Sequence, residues 1–148
     1  MSTLRQQLQT AAQSFCDSFA SKSPLSDVLD KFSTKDEDGP VAIEHGLSLL
    51  APFLGFTYVG QTGIRNYFET IARLLDYEDM HFSEYVIDDQ VRKVSVRGEA
   101  TFTWKSNNQS WHEVFTYTLA FDDDFKVKKY EIWADSGAAY LASKGLLQ

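Results

Sequence analysis

Apolar residues recur at every third and fourth position in the first half of this chain, and from His81 onward at every second position. The first spacing is that of helices with one buried face, the second that of strands with one buried face. The order is therefore helices first and a sheet after, an α+β layout. Leu4, Leu8, Ala11, Ala12, Phe15 and Phe19 mark a first helix. Ser21–Pro24 interrupts it, with Ser23 as cap and Pro24 as first residue of a second, short helix that buries Leu25, Val28, Leu29 and Phe32. A polar, acidic loop over 33–40 leads to a short strand, Val41–Gly46, on which Glu44 and His45 point to opposite faces. The stretch 47–60, broken by Pro52, Gly55 and Gly60, reads as a connector over a cavity mouth, with Phe53, Leu54, Phe56 and Tyr58 inward. Thr62 caps a third helix, and the acidic turn 76–79 ends it. Strands are expected at about 81–88, 91–104, 110–121 and 126–135, followed by a short tail.

The 148 residues suit one domain, 1–148, large enough for a real core. Eleven Phe, seven Tyr and three Trp supply that core and enough rings to line a cavity for a flat or ring-bearing ligand. A net charge of -7 repels phosphate backbones and offers an anionic membrane no landing site, so neither nucleic acid nor membrane is an expected partner. Cys16 has no second cysteine to pair with, which suits a reducing compartment. With no apolar run of signal-peptide or bilayer-spanning length, the expected location is cytoplasmic.

Three segments carry a resemblance: Gly60-Gln-Thr-Gly63-Ile-Arg-Asn-Tyr-Phe68 at the third helix, Val94-Ser-Val96-Arg-Gly98 in the second long strand, and Glu131-Ile-Trp133-Ala-Asp135 at the end of the last. With the order of elements, they make nearly the whole chain resemble the nuclear transport factor 2-like (NTF2-like) superfamily, and within it the SnoaL-like polyketide cyclases and isomerases. That resemblance implies a conical fold, three helices packed on a curved antiparallel sheet that encloses a pocket. It further implies a cofactor-free isomerase or cyclase acting on a polyketide-like metabolite of secondary metabolism. Lyases, dehydratases and non-catalytic binders or dimeric adaptors share the fold, and a fold alone does not choose among them. The expected partners are a small apolar or aromatic molecule and a second copy of the chain in a homodimer.

Asp135 matches the place near the end of the last strand where SnoaL-like cyclases keep an acid–base aspartate. Two positions after Trp133 on a strand, it would share a face with that indole, and desolvation there would raise its pKa. The competing reading is a cap on the turn that follows. Glu113 shares a face with Trp111, Phe115, Tyr117, Leu119 and Phe121, so it must be paired, protonated or in a cavity. If the last hairpin aligns Phe121 with Val127, Glu113 neighbours Asp135; if with Lys126, His112 does. His45 or His112 would be the acid–base partner of Asp135, with Glu113 the alternative base. Tyr58, Trp104, Tyr117 and Trp133 are the expected aromatic lining. The histidine and cysteine spacings fit no metal site, so no metal is expected.

Overall fold

The computed structural model describes residues 1–35 and 37–147; Asp36, within the acidic loop, and Gln148 lie outside the described residues. The first helix, α1 (Leu4–Ala20), begins at a capping box: the Thr3 hydroxyl accepts from the Gln6 N–H at 3.1 Å and the Gln6 side chain accepts from the Thr3 N–H at 2.9 Å. Its Leu8, Ala12, Phe15, Cys16 and Phe19 are buried, as the spacing requires. In α2 (Leu25–Leu29), Pro24 itself occupies the cap position and no side chain caps the helix, so Ser23 does not play that part. The third helix, α3 (Gly60–Leu74), starts two residues ahead of Thr62, with Val59 as its cap residue. Gly60 has φ +77°, a left-handed conformation that glycine tolerates, and donates its N–H to the Pro40 carbonyl at 2.7 Å.

The strands are β1 (Val41–His45), β2 (Thr57–Val59), β3 (Leu75–Asp88), β4 (Lys93–Trp104), β5 (Ser110–Phe121) and β6 (Val127–Trp133), and they form one sheet in the order β2-β1-β6-β5-β4-β3. Every neighbouring pair is antiparallel except β1 and β6, which run parallel. Two elements depart from the sequence reading. The connector 47–60 contains the edge strand β2, too short to announce itself. The acidic residues 76–79 form no turn: β3 begins at Leu75, directly after α3. Asp76 and Glu78 are exposed on this other edge of the sheet, where water solvates them. Two irregularities, between Glu78 and His81 and between Ser83 and Val86, bend β3 around the helices, with Asp79 and Glu84 at φ +55° and +59°. The tail is also structured, as a fourth helix, α4 (Ser136–Ser143).

Helix α1 lies along β3 and β4, α3 along β1, β2 and the start of β3, and α4 against β5. Between the helices and the inner sheet face a cavity of about 450 Å³ remains. Packed rings border it: Phe15 on Tyr130 at 5.2 Å, Phe19 on Phe68 at 5.6 Å and Phe68 on Tyr130 at 6.0 Å between centroids. The sheet curves tightly enough for Phe115 to lie over Gly98, its partner on β4, and a Cβ at Gly98 would overlap that ring. Gly98→Ala is therefore expected to cost about 1–3 kcal/mol through overpacking. A urea titration that found the variant as stable as the parent would reject that packing.

Candidate active site

Glu113 sits where the alternation of β5 puts it, on the inner face between Trp111 and Phe115. It is 7% exposed and lines the cavity. Its Oε1 accepts a hydrogen bond from the Trp111 indole N–H, two residues back on the same face, at 3.0 Å. A second carboxylate lines the same cavity from β1: Glu44, 9% exposed, accepts from the Tyr67 hydroxyl of α3 at 2.6 Å. Burial is the main cause that pushes each carboxyl up to about 7. The bonds from Tyr67 and Trp111 oppose the rise; the charge of Glu113 adds to it at Glu44, and that of Asp135 adds to it at Glu113. Around them stand Tyr117 and Tyr130, whose phenols burial holds well above their ordinary range. The cavity thus holds two carboxyls poised to exchange protons near neutral pH, each fixed by one donor from a rigid element.

Asp135 lies past the last ladder pair, at the rim of the cavity. Its Oδ1 accepts from the Ala138 N–H at 3.0 Å, so it caps α4, and its charge reaches Glu113. Of the two alignments considered, the hairpin opens in the Val127 one, but a shift one pair later breaks its continuation toward Glu113 and Asp135. Phe121 pairs with Val127, but Ala120 pairs with Lys129, leaving Lys128 as one extra residue on β6. That bulge turns Tyr130 and Ile132 inward and Glu131 and Trp133 outward.

Of the side chains expected in the pocket, Asp135, Glu113 and Tyr117 line it. Trp133 instead points outward, 42% exposed, and stacks on His45 at 4.5 Å. His45 is on the outer face because Glu44, its neighbour on β1, is on the inner one; its Nε2 lies 2.8 Å from Glu131. His112 is outward for the same reason beside Glu113, and it shares Glu99 with His81 at 3.3 and 3.0 Å. Trp104 is buried but belongs to the core, its indole N–H donating to the Ala139 carbonyl at 2.8 Å and so fastening α4. Tyr58 packs behind the lining against Tyr67, at 5.3 Å between rings. Sequence reasoning missed Glu44 with its donor Tyr67. On β1 the more apolar alternation is Val41, Ile43, His45, which argues for the wrong face. Among the described residues, no three His, Cys, Asp or Glu side chains converge as a metal-binding group, and no helix is long and apolar enough to cross a membrane.

No family model matches the sequence, and no curated protein does. Solved structures match it over almost its whole length. An NTF2-like protein from Burkholderia xenovorans LB400 superposes with a TM-score of 0.74 at 19% identity, over 93% of this chain and 96% of that one. The chain has the NTF2-like fold. TerC, co-crystallised with polyporic acid, shares it with a TM-score of 0.76 at 14% identity, over 93% and 98% of the two chains. So does a candidate SnoaL-like polyketide cyclase from Jannaschia sp. CCS1, with a TM-score of 0.72 at 14% identity, over 96% and 94%. These superpositions establish the NTF2-like architecture, and the chemistry of the hollow has to be read from its own side chains.

Burial of the two glutamates makes the protein's stability depend on pH. Below about pH 4.5 both carboxyls are neutral in folded and unfolded chains alike, and burial costs no ionisation. As pH rises toward 7, the unfolded chain loses these protons first, and stability falls. A rise from 4.5 to about 7 corresponds to about 3 kcal/mol per carboxyl above pH 7. Glu113→Gln and Glu44→Gln keep an acceptor for Trp111 and Tyr67 and remove the ionisable group. Each is expected to gain about 1–3 kcal/mol over the parent at pH 8 and almost nothing at pH 4, by urea unfolding. Variants less stable than the parent at pH 8 would contradict the assignment.

Proposed function

We propose that this protein is an acid–base enzyme of the isomerase or cyclase type, acting on a ring-bearing, polyketide-like small molecule of secondary metabolism in the hollow. The observation that carries the reading is the pair Glu44 and Glu113, two buried carboxyls lining one cavity, each pushed up to about 7. At neutral pH such a pair populates a state with one carboxyl ionised and one protonated. The ionised partner removes a proton next to a substrate carbonyl. The protonated partner donates a hydrogen bond to the oxygen on which the enolate charge develops, then returns a proton elsewhere on the skeleton. Tyr67 and Trp111 hold the two carboxyls in place, and the phenols of Tyr117 and Tyr130 are further donors in the wall. Aromatic walls fit a flat, unsaturated ring system. The shared fold with the candidate SnoaL-like polyketide cyclase supports the same substrate class. Proton transfer between these carboxyls and the substrate calls on no cofactor, and the setting we assign is the cytoplasm.

In this reading Asp135 orients rather than transfers: it holds α4 against the rim and its charge keeps the Glu113 proton in place. A profile of kcat/KM against pH should be bell-shaped with its maximum near 7, because both carboxyls are protonated well below that value and both ionised well above it. Glu113→Gln and Glu44→Gln should each lower turnover by ~100-fold or more. Asp135→Asn, which retains a capping oxygen, should stay within ~10-fold, while Asp135→Ala loses about 1 kcal/mol of stability. A panel of aromatic polyketides screened by mass spectrometry supplies the substrate. Normal turnover in both glutamine variants would end the proposal.

A further inference from the structure

The charges around the cavity are distributed unevenly. Among the described residues, five carboxylates line it or its rim: Glu44, Glu69, Asp76, Glu113 and Asp135. The cationic side chains of the lining are Lys22 and Lys105, both at the mouth. Both are half-exposed and already have partners. Lys22 is 3.1 Å from Glu78 and lies over the Tyr77 ring at 5.1 Å. Lys105 donates to the Ala72 carbonyl at 2.6 Å and stands 3.8 Å from Asp76. Among the described residues the lining contains no arginine and no histidine, because His45 and His112 belong to the outer sheet face. The deep wall thus offers carboxyl, phenol, indole and ring faces. Charges buried together in such surroundings interact more strongly than in water, and a like charge without a partner is rejected. Ring faces and carboxylates together also stabilise cations.

We infer that the hollow selects ligands whose inserted ring system is uncharged or cationic, and excludes those carrying a carboxylate or another ionised acid at that end. The inference rests on the reading of the hollow as the substrate site, and it narrows the substrate class. The molecule handled is an alcohol, ketone, ester or amine, and a free-acid precursor has to be esterified, cyclised or decarboxylated before it enters.

Three probes of one shape test this by isothermal titration calorimetry at pH 8: 2-naphthylmethanol, 2-naphthylmethylamine and 2-naphthoic acid. The alcohol and the amine are expected to bind, and the acid at least tenfold more weakly than the alcohol. In the double variant Glu44→Gln/Glu113→Gln the gap between acid and alcohol should close to less than threefold, and each single variant should narrow it. An acid that binds within tenfold of the alcohol overturns the inference. So does a gap that fails to shrink in the variants, or failure of all three probes to bind. Because the readout is binding, this result is separable from the catalytic reading: normal turnover in the glutamine variants would remove the mechanism and leave the charge selection standing.

Discussion

Lys128 is the extra residue in the last hairpin, and the geometry of the hollow follows from it. Without it, the inward position of Val127 would propagate at period two to Lys129, Glu131 and Trp133. With it, Tyr130 and Ile132 are the residues that complete the wall, and the charged and indole side chains are turned to the other face. The two faces of the sheet then acquire different chemistry. The inner one has buried carboxyls held by neutral donors. The outer one has histidines paired with Glu131 and Glu99, plus Lys129 beside Glu131 and Arg97 beside Glu99. The inserted residue keeps the charged and indole side chains of β6 off the apolar wall and on the face of ion pairs.

The architecture was legible because it depends on periodicity, which repeats over many residues. Helix α1, the alternation of β5 and the position of Glu113 all follow from spacing, and the NTF2-like fold follows from the order of the elements. What spacing does not encode is a local change of register. The bulges of β3 hid a strand beneath residues that look like a turn, and the bulge of β6 reversed the face of Trp133. On β1 the difficulty is different: the alternation favours the face of Val41 and Ile43, and the packing of α3 above Glu44 decides for the other. His112 was in principle decidable, since the argument that turns Glu113 inward turns its neighbour outward.

Each buried carboxyl is held by a donor of a different origin. Trp111 is two residues from Glu113 on the same strand, so that pair is set by the local geometry of β5. Tyr67 comes from a helix 23 residues away in sequence, so the Glu44 pair forms only when α3 has docked. The two carboxyls are therefore similar in burial and unequal in rigidity, and displacement of α3 affects one far more than the other.

The parallel pairing of β1 with β6 also governs how the molecule is made. Its partners, from Val41↔Lys129 to His45↔Trp133, are more than half the chain apart, so this pairing closes a long loop and comes at a high entropic cost. Hairpins among β3, β4, β5 and β6 close shorter loops and are free to form earlier. On a ribosome, the strand that carries Glu44 waits unpaired on that side until the last strand has emerged. Until then the chain exposes a ring-rich inner surface, and its need for protection is greatest during that interval.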